Sequence, residues 1–112
     1  MWPHMHTRGK DVTYTLVHPG GRQEVLLQVP RYDFNWQLAY LTSVPVRAGS
    51  KIIATGHFDN SRNNRANPNP NAWVYPGQQS WEEMFTPAFG LVVDRTVDER
   101  GLTSRYVADG GG

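Results

Sequence analysis

The chain has no cysteine among its 112 residues, which excludes a disulfide framework and any thiolate metal site. It also has little net charge: 11 Lys and Arg face 10 Asp and Glu, a formal balance of +1. That balance withholds the basic footprint of a nucleic-acid binder, and neither sign gathers into a long block. No apolar run approaches the roughly 20 residues that span a bilayer. The start lacks the basic region and apolar stretch of a signal peptide, and long runs of good helix formers are missing. What is plentiful is glycine (11), proline (8) and aromatic residues (12%), a composition that suits short strands joined by turns. The length fits one domain with a modest core.

Alternation begins in DVTYTLVH, residues 11–18, with Val12, Tyr14, Leu16 and His18 on one side and Thr13, Thr15 and Val17 on the other. The turn-forming PGGR at 19–22 and the following QEVLLQVP predict a β-hairpin. FNWQLAYL (34–41) and SKIIATGHF (50–58) read as further strands, with Phe34, Trp36 and Tyr40 of the first as core residues. DNSRNNRANPNPNA (59–72) has turn propensity throughout and no apolar face, so it belongs on the surface, ordered by Asx turns and rigid prolines. Strands are expected again at AWVY (72–75), FGLVV (89–93) and TSRYV (103–107), with ADGGG at the end disordered. In QSWEEMF, Ser80 followed by Glu83 imitates a capping box and supports one helical turn at most. The expected fold is all-β, an antiparallel β-sandwich of about seven to nine strands.

Chemistry is concentrated at the start, in MWPHMHTRGK. Residues two apart on a strand share a face, about 7 Å apart along the backbone, so His4 and His6 can converge on one ion while Met5 points away. Two partly exposed histidines on a terminal strand explain the pattern equally well, because two ligands rarely hold a metal without a third. Candidates for that third are His18, His57, Glu82, Glu83 and Met84. The plainer roles are a solvent-facing turn residue for His18, a carboxylate-bonded ring for His57 and a core filler for Met84. A zinc site of His4, His6 and His57 or a glutamate is a further alternative. Arg8 and Lys10 beside the pair are either supporting groups or a solvated strand end. Asp33 and Asn35 suggest turn hydrogen bonding.

PHMHTRGKDVTY, RYDFNWQLAY, GHFDNSRNNRANPNP and SWEEMF, in that order, resemble the C-terminal domain of the copper type II, ascorbate-dependent monooxygenases. The peptidylglycine and dopamine hydroxylases are the best-known members, and the form resembled is that of bacterial multidomain proteins. The resemblance runs from about Pro3 to Phe89. It implies a jelly-roll-like sandwich over residues 1–93 and an oxygen-activating copper held by His4, His6 and Met84, the last from the family's D/E-E-M segment. It also implies an extracellular, periplasmic or cell-surface setting. Imidazole suits both copper oxidation states and a thioether favours Cu(I). The chain departs from the family in two respects. The second, electron-supplying copper needs three histidines, and only His18 and His57 remain; the family's disulfides are absent. With three residues before His4, the segment lacks the strands that would precede it, and an incomplete sheet edge recruits another chain. The resulting expectation is self-association, or another domain completing the sheet, with residues 94–112 as a possible strand donor. The alternative function is a self-assembling structural subunit that reuses the sandwich.

Overall fold

The computed structural model describes residues 1–98 and 100–102. Its elements are β1 (Trp2–Met5), β2 (Gly9–Val17), β3 (Gln23–Val29), β4 (Lys51–Phe58) and β5 (Phe85–Ala88), and no helix occurs among the described residues. They form two antiparallel sheets, one of β1 and β5 and one in the order β3-β2-β4. The fold is thus all-β, with five strands among the described residues. The strand expected at 103–107 and the disordered end at 108–112 lie outside the described residues.

The central strand β2 follows its sequence pattern. Val12, Tyr14 and Leu16 are fully buried, while the intervening threonines face the other way. The β2–β3 hairpin closes through Gly20 and Gly21, both at positive φ (91° and 98°), a conformation that costs other residues steric energy. On the opposite side β4 runs in register, Val12 facing Gly56, Tyr14 facing Ala54 and Leu16 facing Ile52. The inward face of β4 is therefore the alternating set Ile52, Ala54, Gly56 and Phe58.

The two sheets share one core. Met5 joins Val12 and Tyr14 at its centre, with Leu27, Val29, Ile52, Tyr32 and Phe85 packed around them. Gly56 makes room for the small sheet, since a Cβ there would stand 3.1 Å from the Phe85 ring and 3.2 Å from Met5 Cε. The Tyr14 hydroxyl donates to the carbonyl of Ala88 at 3.0 Å and ties the sheets at a second point. Tyr32 lies against β1, its hydroxyl donating to the Met5 carbonyl (2.8 Å) and accepting from the Met5 amide (2.9 Å).

Three expected strands are absent, for local reasons. In 34–41 the Asp33 carboxylate accepts the Asn35 amide (2.9 Å), the Asp33 carbonyl accepts the Trp36 amide (3.0 Å) and the Gln37 side-chain amide donates to the Phe34 carbonyl (2.9 Å). Side-chain to backbone bonds of this kind compete directly with a sheet ladder, and they leave Trp36 72% exposed instead of in the core. At 72–75 no strand forms; the Tyr75 carbonyl accepts the Glu83 amide (2.9 Å), and the next residue, Pro76, makes an isolated bridge to Glu83. The strand expected at 89–93 forms earlier, at 85–88, where Phe85 can enter the core beside Met5. Pro87 is tolerated because its partner in the register is Pro3, so neither residue owes the ladder an N–H. Residues 78–84 form turns without a helix. A turn forms one residue early, with the Gln79 amide donating to Glu82 Oε2 (2.9 Å) and the Glu82 amide to the Gln79 carbonyl (2.9 Å).

Candidate metal centre

His4 lies in β1 and His6 one residue beyond its end, so both leave the strand on the face opposite Met5. Burying Met5 in the core turns the imidazoles outward, against the segments that carry Phe34, Gln37 and Glu82. The rings approach with centroids 5.2 Å apart and planes at 82°. Two imidazoles bound to one ion at about 2 Å place their centroids roughly 5 Å apart. The observed spacing already matches that arrangement.

The hydrogen bonds fix which nitrogen of each ring is free. Nδ1 of His4 lies 2.7 Å from Oε1 of Gln37, and the Gln37 side-chain nitrogen is engaged with the Phe34 carbonyl, so the group facing His4 is the acceptor. His6 Nδ1 lies 3.0 Å from the backbone carbonyl of Glu82, which can only accept. Both Nδ1 atoms must therefore carry the proton. In the neutral rings each Nε2 is left with its lone pair and no partner among the described residues. Metal-binding histidines are held in this way, with one nitrogen donating to an oxygen and the other on the ion. His6 is further wedged by Phe34, edge-on at 6.1 Å between centroids, and is only 5% exposed.

The β1–β5 register stops one residue short of Met84. It runs Trp2 to Ala88, His4 to Thr86 and Met5 to Phe85. Met84 lies just outside that ladder and lines a hollow with Phe58, Pro76, Gly77, Gln78, Glu83 and Phe85, a set that includes neither His4 nor His6. Of the other candidates, Glu82 meets His6 through its carbonyl, and the two remaining histidines have partners elsewhere. His18 bonds Glu24 through Nε2 at 2.9 Å, and its side chain is 11% exposed, less open than a solvent-facing turn residue. His57 pairs with Asp11 across β2 and β4, Nδ1 to Oδ1 2.6 Å, on an exposed face. No group of three or more His, Asp or Glu side chains able to hold a metal occurs among the described residues.

Arg8 is the residue whose role is least visible in the sequence. It is 2% exposed, and its Nε donates to the side-chain oxygens of Asn60 and Asn67, each at 3.0 Å, while Nη1 donates to the Trp81 carbonyl. One cation thus ties the 59–72 loop to the segment that presents Glu82 to His6. The loop itself is a chain of Asx turns, at Asp59, Asn64, Asn67 and Asn69. Nearby, burial pushes the Glu83 carboxyl up from its ordinary pKa against the opposing pull of Arg8, and Glu83 Oε1 is buried without a partner among the described residues. A Cβ on Gly77 would strike the Glu82 carboxylate, so this glycine lets the chain fold tightly under the histidine support.

Gln37 and Phe34 were missed as supports of the pair because their side chains act across a turn rather than along a strand. The signal that could have found them is the Asx-turn pattern of DFN. The chain matches no protein-family profile, no curated protein and no solved structure.

Proposed function

We propose that the chain is a copper-binding domain, with His4 and His6 as nitrogen ligands and Met84 as a soft third ligand. One observation carries this reading: both imidazoles donate through Nδ1 to oxygen acceptors, which leaves two Nε2 lone pairs on neighbouring rings without partners among the described residues. The resemblance of HMH and EEM to the oxygen-activating half of the ascorbate-dependent monooxygenases points to the same three residues, and Met84 rests on that resemblance. Copper bound by two imidazoles and a thioether supplies a centre that tolerates Cu(I) and keeps a position open to a small ligand. This chain's own residues orient and desolvate: Gln37 and the Glu82 carbonyl hold the rings, Phe34 covers His6, and Arg8 anchors the supporting loop. His18 and His57 are each engaged with a carboxylate, so the electron that coupled hydroxylation requires comes from outside this chain. A sandwich closed by additional strands, and an extracellular, periplasmic or cell-surface setting, belong to the same proposal.

Titration of the purified chain with Cu(I) against a chromophoric competitor tests it. One equivalent is expected, with marked weakening in His4→Ala, His6→Ala and Met84→Ala. Binding equal to that of His4→Ala refutes it.

A second reading, a self-assembling subunit, is favoured by a different observation. The segments expected as strands at 34–41, 72–75 and 89–93 carry large exposed apolar side chains, among them Trp36, Leu41, Trp73, Tyr75 and Val92. Both β3 and β4 are sheet edges, and exposed apolar surface beside open edges marks an interaction surface. Size-exclusion chromatography with light scattering decides between a monomer and an assembly.

A further inference from the structure

A cavity of about 370 Å³ lies beside the β2–β3 turn, remote in sequence from the histidine pair, between His18, Arg22 and Glu24 on one wall and Val44, Pro45 and Arg47 on the other. We infer that it binds a small monocarboxylate through Arg22 and Arg47, with the apolar part of the molecule against Val44 and the two prolines, Pro19 and Pro45, that flank the opening.

The walls are held in place by backbone bonds. The His18 amide donates to the Arg22 carbonyl (2.8 Å), the Gly21 amide to the His18 carbonyl (2.9 Å), and the Ser50 amide to the Arg47 carbonyl (3.1 Å). Gly49, at φ 85°, brings its loop to Pro19, whose Cγ would lie 3.7 Å from a Cβ there. The backbone of both walls is thus fixed by the fold, while the Arg22 and Arg47 side chains stand exposed at the rim, and the volume lies in the range of small-molecule sites.

Charge selects the ligand. Glu24 is already engaged, its Oε2 accepting from His18 Nε2 at 2.9 Å and lying 3.7 Å from Arg22 Nη1, beyond hydrogen-bond reach. Arg47 has no side-chain partner among the described residues. Two guanidinium groups against one carboxylate leave one positive charge, which a monoanion neutralises. A phosphate dianion would bring a second negative charge towards Glu24. The guanidinium fork matches a carboxylate in geometry as well as in sign.

Benzoate titrated into the full chain, followed by amide and guanidinium NMR at constant ionic strength, tests the inference. Saturable shifts confined to residues 18–24 and 44–50 are expected, with binding weakened at least about tenfold in Arg47→Gln, as for loss of a charged hydrogen bond. Inorganic phosphate should give a weaker response at equal concentration. His4→Ala should bind benzoate unchanged, which separates this site from the metal centre. Non-saturating shifts, equal affinity in Arg47→Gln, or phosphate binding as well as benzoate would overturn it.

Discussion

Replacing Gln37 by Leu keeps a side chain of similar size and deletes the oxygen that accepts from His4 Nδ1. In the structure that bond is 2.7 Å long, and Gln37 is itself tethered to the Phe34 carbonyl at 2.9 Å, so the acceptor is fixed before an ion binds. A neutral hydrogen bond contributes about 0.5–1.5 kcal/mol net. Its loss also frees the ring to rotate and to exchange tautomers. Outer partners of metal-bound histidines are worth about 10–100-fold in affinity, equivalent to about 1.4–2.8 kcal/mol. Gln37→Leu should therefore weaken Cu(I) by that factor, while His6, held by a backbone carbonyl, keeps its orientation. Gln37→Glu places a carboxylate at the same acceptor position and should restore or tighten binding by making the imidazole a stronger donor to the ion. Competition titration with a chromophoric Cu(I) chelator reads all three proteins, and thermal unfolding without metal checks that the fold survives. Should Gln37→Leu match the unsubstituted chain while His4→Ala loses the ion, His4 binds without the orientation that Gln37 imposes, and the reasoning is refuted.

Gly9→Ala should destabilise the apo chain by about 1–3 kcal/mol, because the new Cβ would stand 2.8 Å from both Met5 Cβ and the Tyr32 ring; chemical denaturation measures it, and an unchanged midpoint counts against the packing described. Arg8→Lys keeps the charge but loses the planar fork shared by Asn60, Asn67 and Trp81; a loss of about 1.5–3 kcal/mol and faster amide exchange across 59–72 are expected, and equal protection would contradict a clamp. Burial pushes Tyr14 up to about 12. The unfolded chain therefore loses this proton first, so stability falls as pH rises from about 10 to about 12, by about 2–3 kcal/mol in total. Alkaline unfolding of Tyr14→Phe should show a shallower decline over that window, and an identical profile would refute the assignment.

The hairpin and β4 were legible because one face of each strand is buried: Val12, Tyr14 and Leu16 alternate with polar residues, and Ile52, Ala54 and Gly56 answer them across the register. A carboxylate partner of His57 was expected, and it is Asp11, reached across the ladder. The Asx-turn order of the 59–72 loop was also readable, since Asp and Asn bond their own backbone two residues on. What could not be read were effects that cross the chain. Apolar content suggested strands at 34–41 and 89–93, yet the Asp33 turn captured the first, and the pairing of Phe85 with Met5 moved the second upstream. For the candidate centre, the HMH spacing showed that two rings can share a face. That Gln37 and the Glu82 carbonyl select the free nitrogens depends on contacts 33 and 76 residues apart in sequence, which no local pattern encodes. Arg8 had equal claims to solvent and to burial, and only the convergence of two asparagines and a carbonyl decides between them.

The phenol of Tyr32 has a consequence for assembly. By occupying both outward-facing backbone groups of Met5, it imitates a neighbouring strand with a single oxygen atom. Two positions earlier on the same margin, Pro3 has no hydrogen to offer, and the carbonyl of Met1 is taken by the Tyr40 amide at 2.8 Å. That flank of the small sheet is sealed against recruitment. A visiting strand must therefore dock elsewhere, and any seam it creates lies away from this border.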